Sequence, residues 1–181
     1  MNMKKILALA LCVCMVATLA ACGEKQSDYK LGMGIAVNMG SSADNNAQVD
    51  ATVATVVTDA DGKIVSCRID VAQNKMNVTD GEVDTEQAFK TKMELGSDYG
   101  MAGNPYSSDN NGDGKVLEWY EQSAAFSSYV VGKTADQVAG METQEVEGHV
   151  IAADKALLDA GCTIQISSIC AVMAQAANNA R

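Results

Sequence analysis

The chain has 181 residues, with 13 basic and 23 acidic side chains and a formal net charge of −10. Phosphate backbones and anionic head groups repel such a chain, which excludes charge-driven binding to nucleic acid, and one Trp, five Tyr and two Phe are too few for a base-stacking surface. A hydrophobic share of 48% in ordered patterns excludes full disorder, and the length suits one domain with a core of Val, Ile, Met and Ala.

Lys4 and Lys5 precede an apolar run from Ile6 to Leu19, followed by Ala20, Ala21 and Cys22. A basic start, a short apolar segment and small residues before a cut describe a secretory signal peptide, and the run is short for a transmembrane helix. The ending L-A-A-C-G resembles the lipobox of bacterial lipoproteins, in which Cys22 becomes the lipidated N-terminus. That resemblance implies that residues 1–21 are removed, and that several acyl chains on Cys22 anchor the protein to the membrane on the extracytoplasmic side of the bacterial cell envelope. Setting aside Lys4 and Lys5 takes the net charge from −10 to −12. Residues 22–46 are then the anchor and a flexible tether, with a small apolar segment at Leu31–Met39. Residues 47–181 are the folded domain.

The first strand runs from about Gln48 to Thr58, with Val49, Ala51, Val53, Thr55 and Val57 on one face. Asp59-Ala60-Asp61-Gly62 supplies turn chemistry, and the partner strand covers Lys63 to Val71, giving a hairpin over 48–71. Thr79-Asp80-Gly81 marks a second turn, Glu86 to Leu95 fits either a short helix or an extended segment, and Gly96 to Ser108 reads as a loop. A helix fits Glu118 to Val131, with Trp119, Phe126, Tyr129 and Val130 on a stripe and Gly132 at its C-terminal cap. Thr134 and Gln137 have capping-box spacing for a short helix ending near Gly140, and Val150 to Ala160 predicts another. Cys162 to Ser167 alternates like a strand, and Ser168 can cap a last helix whose stripe is Ile169, Val172, Met173, Ala176 and Ala180. Strands and helices without a βαβ rhythm predict an α+β fold: a small antiparallel sheet packed by short helices and a C-terminal helix.

Chemistry is sparse along this frame. Cys67, Cys162 and Cys170 cannot all pair and have no CxxC spacing, so neither a disulfide framework nor a zinc ribbon is indicated. Cys67 and Cys170 read as small core hydrophobes. The single histidine, His149, reads as a surface or capping residue at a helix start. The acids Glu142, Glu145 and Glu147 read as a solvated segment. Asp109, Asn111 and Asp113 match the opening of a calcium loop, with Gly114 for the turn, but the closing acid is replaced by Tyr120 at the twelfth position. That displacement favours an Asn/Gly-rich turn over a calcium site.

Ala160-Gly161-Cys162-Thr163 is the stronger constellation, since small residues let backbone approach a ligand and Thr163 stands just before a helix start. This stretch and the last helix resemble the FMN-binding domain family of secreted and membrane-attached electron-transfer proteins, where an S-G-A-T-type motif precedes a C-terminal helix. Gly161 and Thr163 match that motif, while Ala160 stands where Ser is usual and Cys162 where Ala is usual. The segments D-G-K-I-V-S-C-R-I-D, E-L-G-S-D-Y-G-M and W-Y-E-Q-S-A-A-F-S-S-Y-V-V-G-K-T are similar to flavin-family sequences too. The resemblance implies FMN near Gly161, Cys162 and Thr163, covalently on Thr163 through a flavin transferase or non-covalently. It also implies a neighbouring Asp98–Met101 loop with Trp119, and a membrane quinone reductase as electron donor. The protein would then be a redox carrier rather than a turnover enzyme. A flavin-free binding or structural lipoprotein on the same scaffold is the alternative.

Overall fold

The computed structural model describes residues 28–40, 46–102, 116–146 and 148–181. The fold is α+β, as the mixed patterns predict. Its main sheet has four antiparallel strands in sequential order: β1 (Lys30–Met39), β2 (Asn46–Thr58), β3 (Ile64–Thr79) and the short β4 (Glu82–Val83). The expected hairpin forms between β2 and β3, and the Asp59 carboxylate accepts the N–H groups of Asp61 and Lys63 at 3.0 and 2.9 Å inside its turn. Gly62 takes the positive φ of 75° that the turn requires. β3 runs on to Thr79, well beyond Val71, and Asp80 and Gly81 then turn the chain into β4 with φ of 52° and 83°.

Leu31–Met39, expected within the tether, is instead a full edge strand paired with β2 from Lys30↔Thr58 to Met39↔Val49. Its alternation explains this. Gly32 and Gly34 lie on the inner side against the C-terminal helix α5 (Ser167–Asn178), and a Cβ on either would fall on the carbonyl oxygen of Ala176 or Val172. The two glycines therefore set how closely helix and strand approach.

Helix α1 (Lys92–Leu95) and a 3₁₀ turn (Gly96–Tyr99) follow the sheet, then α2 (Trp119–Tyr129) and α3 (Ala135–Ala139). Thr134 and Gln137 form the expected capping box, whereas α2 is capped by Val130 rather than Gly132, which lies beyond the cap at φ 83° and donates its N–H to the Ile64 carbonyl at 2.7 Å. Val150–Ala160 departs from the helical expectation. His149–Ala152 is strand β6, paired with β5 (Thr143–Val146), and only Lys155–Asp159 forms helix α4. Asp154 explains the break: its carboxylate accepts the Ala156 N–H at 2.8 Å, so the helix begins after it. Cys162–Ile166 is irregular rather than a strand: it touches β6 through the Ile166 N–H to the Val150 carbonyl at 3.3 Å without forming a ladder. Ser167 is already helical, with Ile166 rather than Ser168 at the cap position of α5.

The core lies between the inner sheet face and α2, α3 and α5. It contains Val56, Ile69, Phe126, Val138, Leu157, Ile166 and Met173, all almost wholly buried. On α5 the expected stripe holds for Ile169, Val172, Met173 and Ala176, while Ala180 lies past the helix end. Among the described residues, no helix is long and apolar enough to cross a membrane.

Candidate functional site

At the end of the sheet nearer Met39, the inner face changes from apolar to polar. Asn38, Asp50 and Gln73 form one cross-strand row, and Ala36, Thr52 and Val71 form the next. Gln48 holds the Asp50 carboxylate through its side-chain amide, 2.8 and 3.0 Å from the two oxygens. A cavity of about 410 Å3 opens above Asn38, Asp50, Thr52 and Gln73, within the size range of small-molecule sites.

The opposite wall comes from the helices. Lys92 of α1 lies over the Tyr99 ring at 4.8 Å and the Trp119 ring at 5.5 Å, so a cation and two aromatic faces meet at the cavity. The Tyr99 hydroxyl donates to Gln73 Oε1 at 3.3 Å. Glu118 fastens this loop to the start of α2, because its carboxylate accepts the N–H groups of Met101 and Ala102 at 2.9 and 3.1 Å.

Thr163 closes the ring of lining residues. Its N–H and its hydroxyl both donate to Gln122 Oε1, at 2.8 and 3.1 Å. Gln122 is itself fully buried, and its amide donates to the Leu117 carbonyl at 2.8 Å. A hydroxyl oxygen that donates its proton this way keeps acceptor lone pairs free. Ser168 and Ile169 of α5 also line the cavity. No side chain caps this helix, so its first turn brings uncapped N–H groups and the positive end of the dipole to the site.

Of the three residues expected to hold a cofactor, Thr163 lines the cavity. Gly161 sits one step back at φ 86°, where a Cβ would strike Leu117. Cys162 is completely buried in the core, and burial pushes its thiol up to about 12. Cys170 is pushed up to about 11 by the same cause, and burial also raises Cys67. All three are free thiols. From the expected neighbouring loop, Tyr99 and Met101 reach the cavity together with Trp119.

His149 lines the cavity as well, at the start of β6 rather than of a helix, with Nδ1 2.9 Å from the Gln165 amide nitrogen. His149 is exposed, as its surface reading expects, whereas Lys92, Gln122, Asp50, Thr52 and Gln73 carry no motif that marks them. Alternation along β2 places Asp50 and Thr52 in one row, and Gln73 is opposite Asp50 on β3, but alternation alone does not say that this row faces inward.

Cys22 and the calcium-like Asp109, Asn111 and Asp113 lie outside the described residues. Among the described residues, no group of three or more His, Cys, Asp or Glu side chains is arranged to hold a metal ion. Glu142 and Glu145 are exposed, and Glu147 lies outside the described residues. Comparison with protein-family models, with curated proteins and with solved structures found no match for this chain.

Proposed function

We propose that the cavity binds FMN and that the protein is a lipid-anchored, extracytoplasmic electron-transfer protein. The observation that carries this reading is the convergence of Thr163, Trp119, Tyr99 and the uncapped first turn of α5 on one cavity. Thr163 is the position of the flavin-bearing Thr in the motif this chain resembles. The donor set also fits the group. The α5 N–H groups and Ser168 suit a phosphate; Trp119 and Tyr99 suit a flat ring; Asn38, Asp50, Thr52 and Gln73 suit hydroxyls and ring-edge donors and acceptors.

FMN, when bound, supplies the capacity to accept and release electrons, and the protein sets its position and potential. Gln122 holds the Thr163 proton and so fixes which way the hydroxyl lone pairs point. Trp119 and Met101 exclude water from the inner wall, and Lys92 offsets negative charge on a ligand. Lipid on Cys22 would keep the carrier beside a membrane quinone reductase, and a flavin transferase would be needed for covalent attachment to Thr163.

Co-production with a flavin transferase, followed by a visible spectrum before and after acid unfolding, tests this reading. Yellow colour that stays with the unfolded chain, and is lost in Thr163→Val, is the expected result for a covalent carrier. Colour that washes off on unfolding indicates non-covalent FMN. A folded, colourless protein that takes up no added FMN overturns the proposal in favour of a flavin-free binding lipoprotein.

A further inference from the structure

Leu31, Met33, Ile35, Val37 and Met39 all point away from the core on the outer face of the sheet, 66%, 58%, 49%, 62% and 71% exposed. Across the ladder they stand beside Val57, Thr55, Val53, Ala51 and Val49 of β2, so the apolar surface is two strands wide. The five β1 side chains alone leave on the order of 600 Å2 open, at the upper limit for the largest apolar patch on a monomer.

We propose that this outer face is where two copies of the chain pack, sheet on sheet, about a two-fold axis. Three observations select this occupant. The first is area: two such faces bury on the order of 1,200 Å2 from β1 alone, which reaches the range of specific interfaces before β2 is counted. The second is charge. Beyond the apolar strip, β3 places exposed Arg68 two residues from half-buried Asp70, paired with Thr55 and Val53, and Asp70 Oδ1 also accepts the N–H groups of Val71 and Met93 at 2.7 and 3.2 Å. Opposite charges so placed are self-complementary under a two-fold, because each copy's cation can oppose the other's carboxylate. Exposed Tyr29 and Lys30 flank the strip at its Leu31 end, so a lipid surface is the competing occupant, and the vesicle arm of the test below separates the two.

The third observation is the state of the β1 edge. Ile35 N–H donates to Gln175 Oε1 at 2.9 Å, and the Met33 and Leu31 carbonyls accept from Asn179 Nδ2 at 3.1 Å and the Arg181 N–H at 3.2 Å. The end of α5 thus occupies backbone groups that another strand would use, which closes the edge-to-edge route and leaves the face open. Packing through the outer face also leaves the cavity, on the inner side, accessible.

Sedimentation equilibrium of residues 23–181, which hold every element of the fold, tests the proposal over roughly 1–200 μM, a range set by interfaces of this size. The wild type is expected to be a monomer–dimer system. Met33→Lys/Val37→Lys should weaken association at least about 30-fold with an unchanged circular dichroism spectrum, as expected for charges forced into an apolar contact. Val131→Lys, an exposed apolar position on the α2–α3 connection rather than on β1 or β2, should leave it unaltered. A folded wild type that stays monomeric throughout, or a dimer indifferent to Met33→Lys/Val37→Lys, overturns the proposal. A monomer that binds neutral phosphatidylcholine vesicles through this face also overturns it and assigns the surface to lipid.

Discussion

Along β2, Gln48, Thr52, Ala54, Val56 and Thr58 face inward and are buried, whereas Val49, Ala51, Val53 and Val57 face outward and are only half covered. The more apolar of the two rows is therefore the less buried. Burial is decided here by what covers each row. Helices α2 and α5 close over the inner face and are fitted to its small and polar residues, with Gly32 and Gly34 admitting α5 at short range. The outer row stays half open, and at its Leu31 end Thr55 and Val57 share a cavity with Tyr120 and Ser123 of α2. The comparison teaches that alternation locates a strand reliably while leaving open which face is the core. It also bears on the placement of the cavity, since inner-face Asn38, Asp50, Thr52 and Gln73 line it rather than pack into the apolar core.

The strongest way to break this contrast is at the glycines. Gly34→Leu removes the space that α5 occupies and should destabilise the fold by about 3 kcal/mol or more, measured by urea unfolding. A paired substitution sharpens the contrast. Ile69→Ala, on the inner face at 2% exposed, should cost about 3 kcal/mol, while Ile35→Ala at 49% exposed should change monomer stability by no more than about 0.5 kcal/mol. Equal losses at the two sites would mean that the outer face is packed within the monomer. Gln122→Leu leaves the half-buried Thr163 N–H without its acceptor and should cost about 1 kcal/mol. Where FMN binds, the same change should also lower retention of colour through the freed Thr163 hydroxyl.

A smaller effect comes from pH. Cys162 and Cys170 are held above their ordinary value of 9.0, at about 12 and about 11, because burial disfavours the thiolate. The folded state therefore binds these protons more tightly than the unfolded state. Their contribution is fully present below pH 9 and is lost as pH rises from 9 towards 12. The urea midpoint should fall over that window, and less steeply in Cys162→Ala/Cys170→Ala. At pH 8 neither thiol should react with a disulfide reagent until the chain unfolds.

Much of the framework was legible in sequence because its signals are local: the β2–β3 hairpin from its turn residues, α2 and α5 from apolar spacing, α3 from the Thr134–Gln137 box. β1 was read as part of a tether because its alternation of Gly and Ala with large apolar residues gains meaning only beside α5. Val150–Ala152 carries a helical-looking spacing with Leu157 and Leu158, and pairing with Thr143–Glu145 overrides it. Thr163, Tyr99, Met101 and Trp119 could be singled out from motif and composition. Gln122 and Lys92 could not, because their roles depend on contacts across 41 residues to Thr163 and on ring faces brought together by the fold.

The central claim is that the polar inner end of the sheet is a flavin site. It is tested most directly by titrating the folded protein with FMN and following flavin fluorescence, with Thr52→Trp as the variant that fills the cavity from its floor. The account predicts saturable quenching at one FMN per chain, abolished in a folded Thr52→Trp. Unquenched fluorescence at all protein concentrations, or quenching that survives the filled cavity, would contradict it.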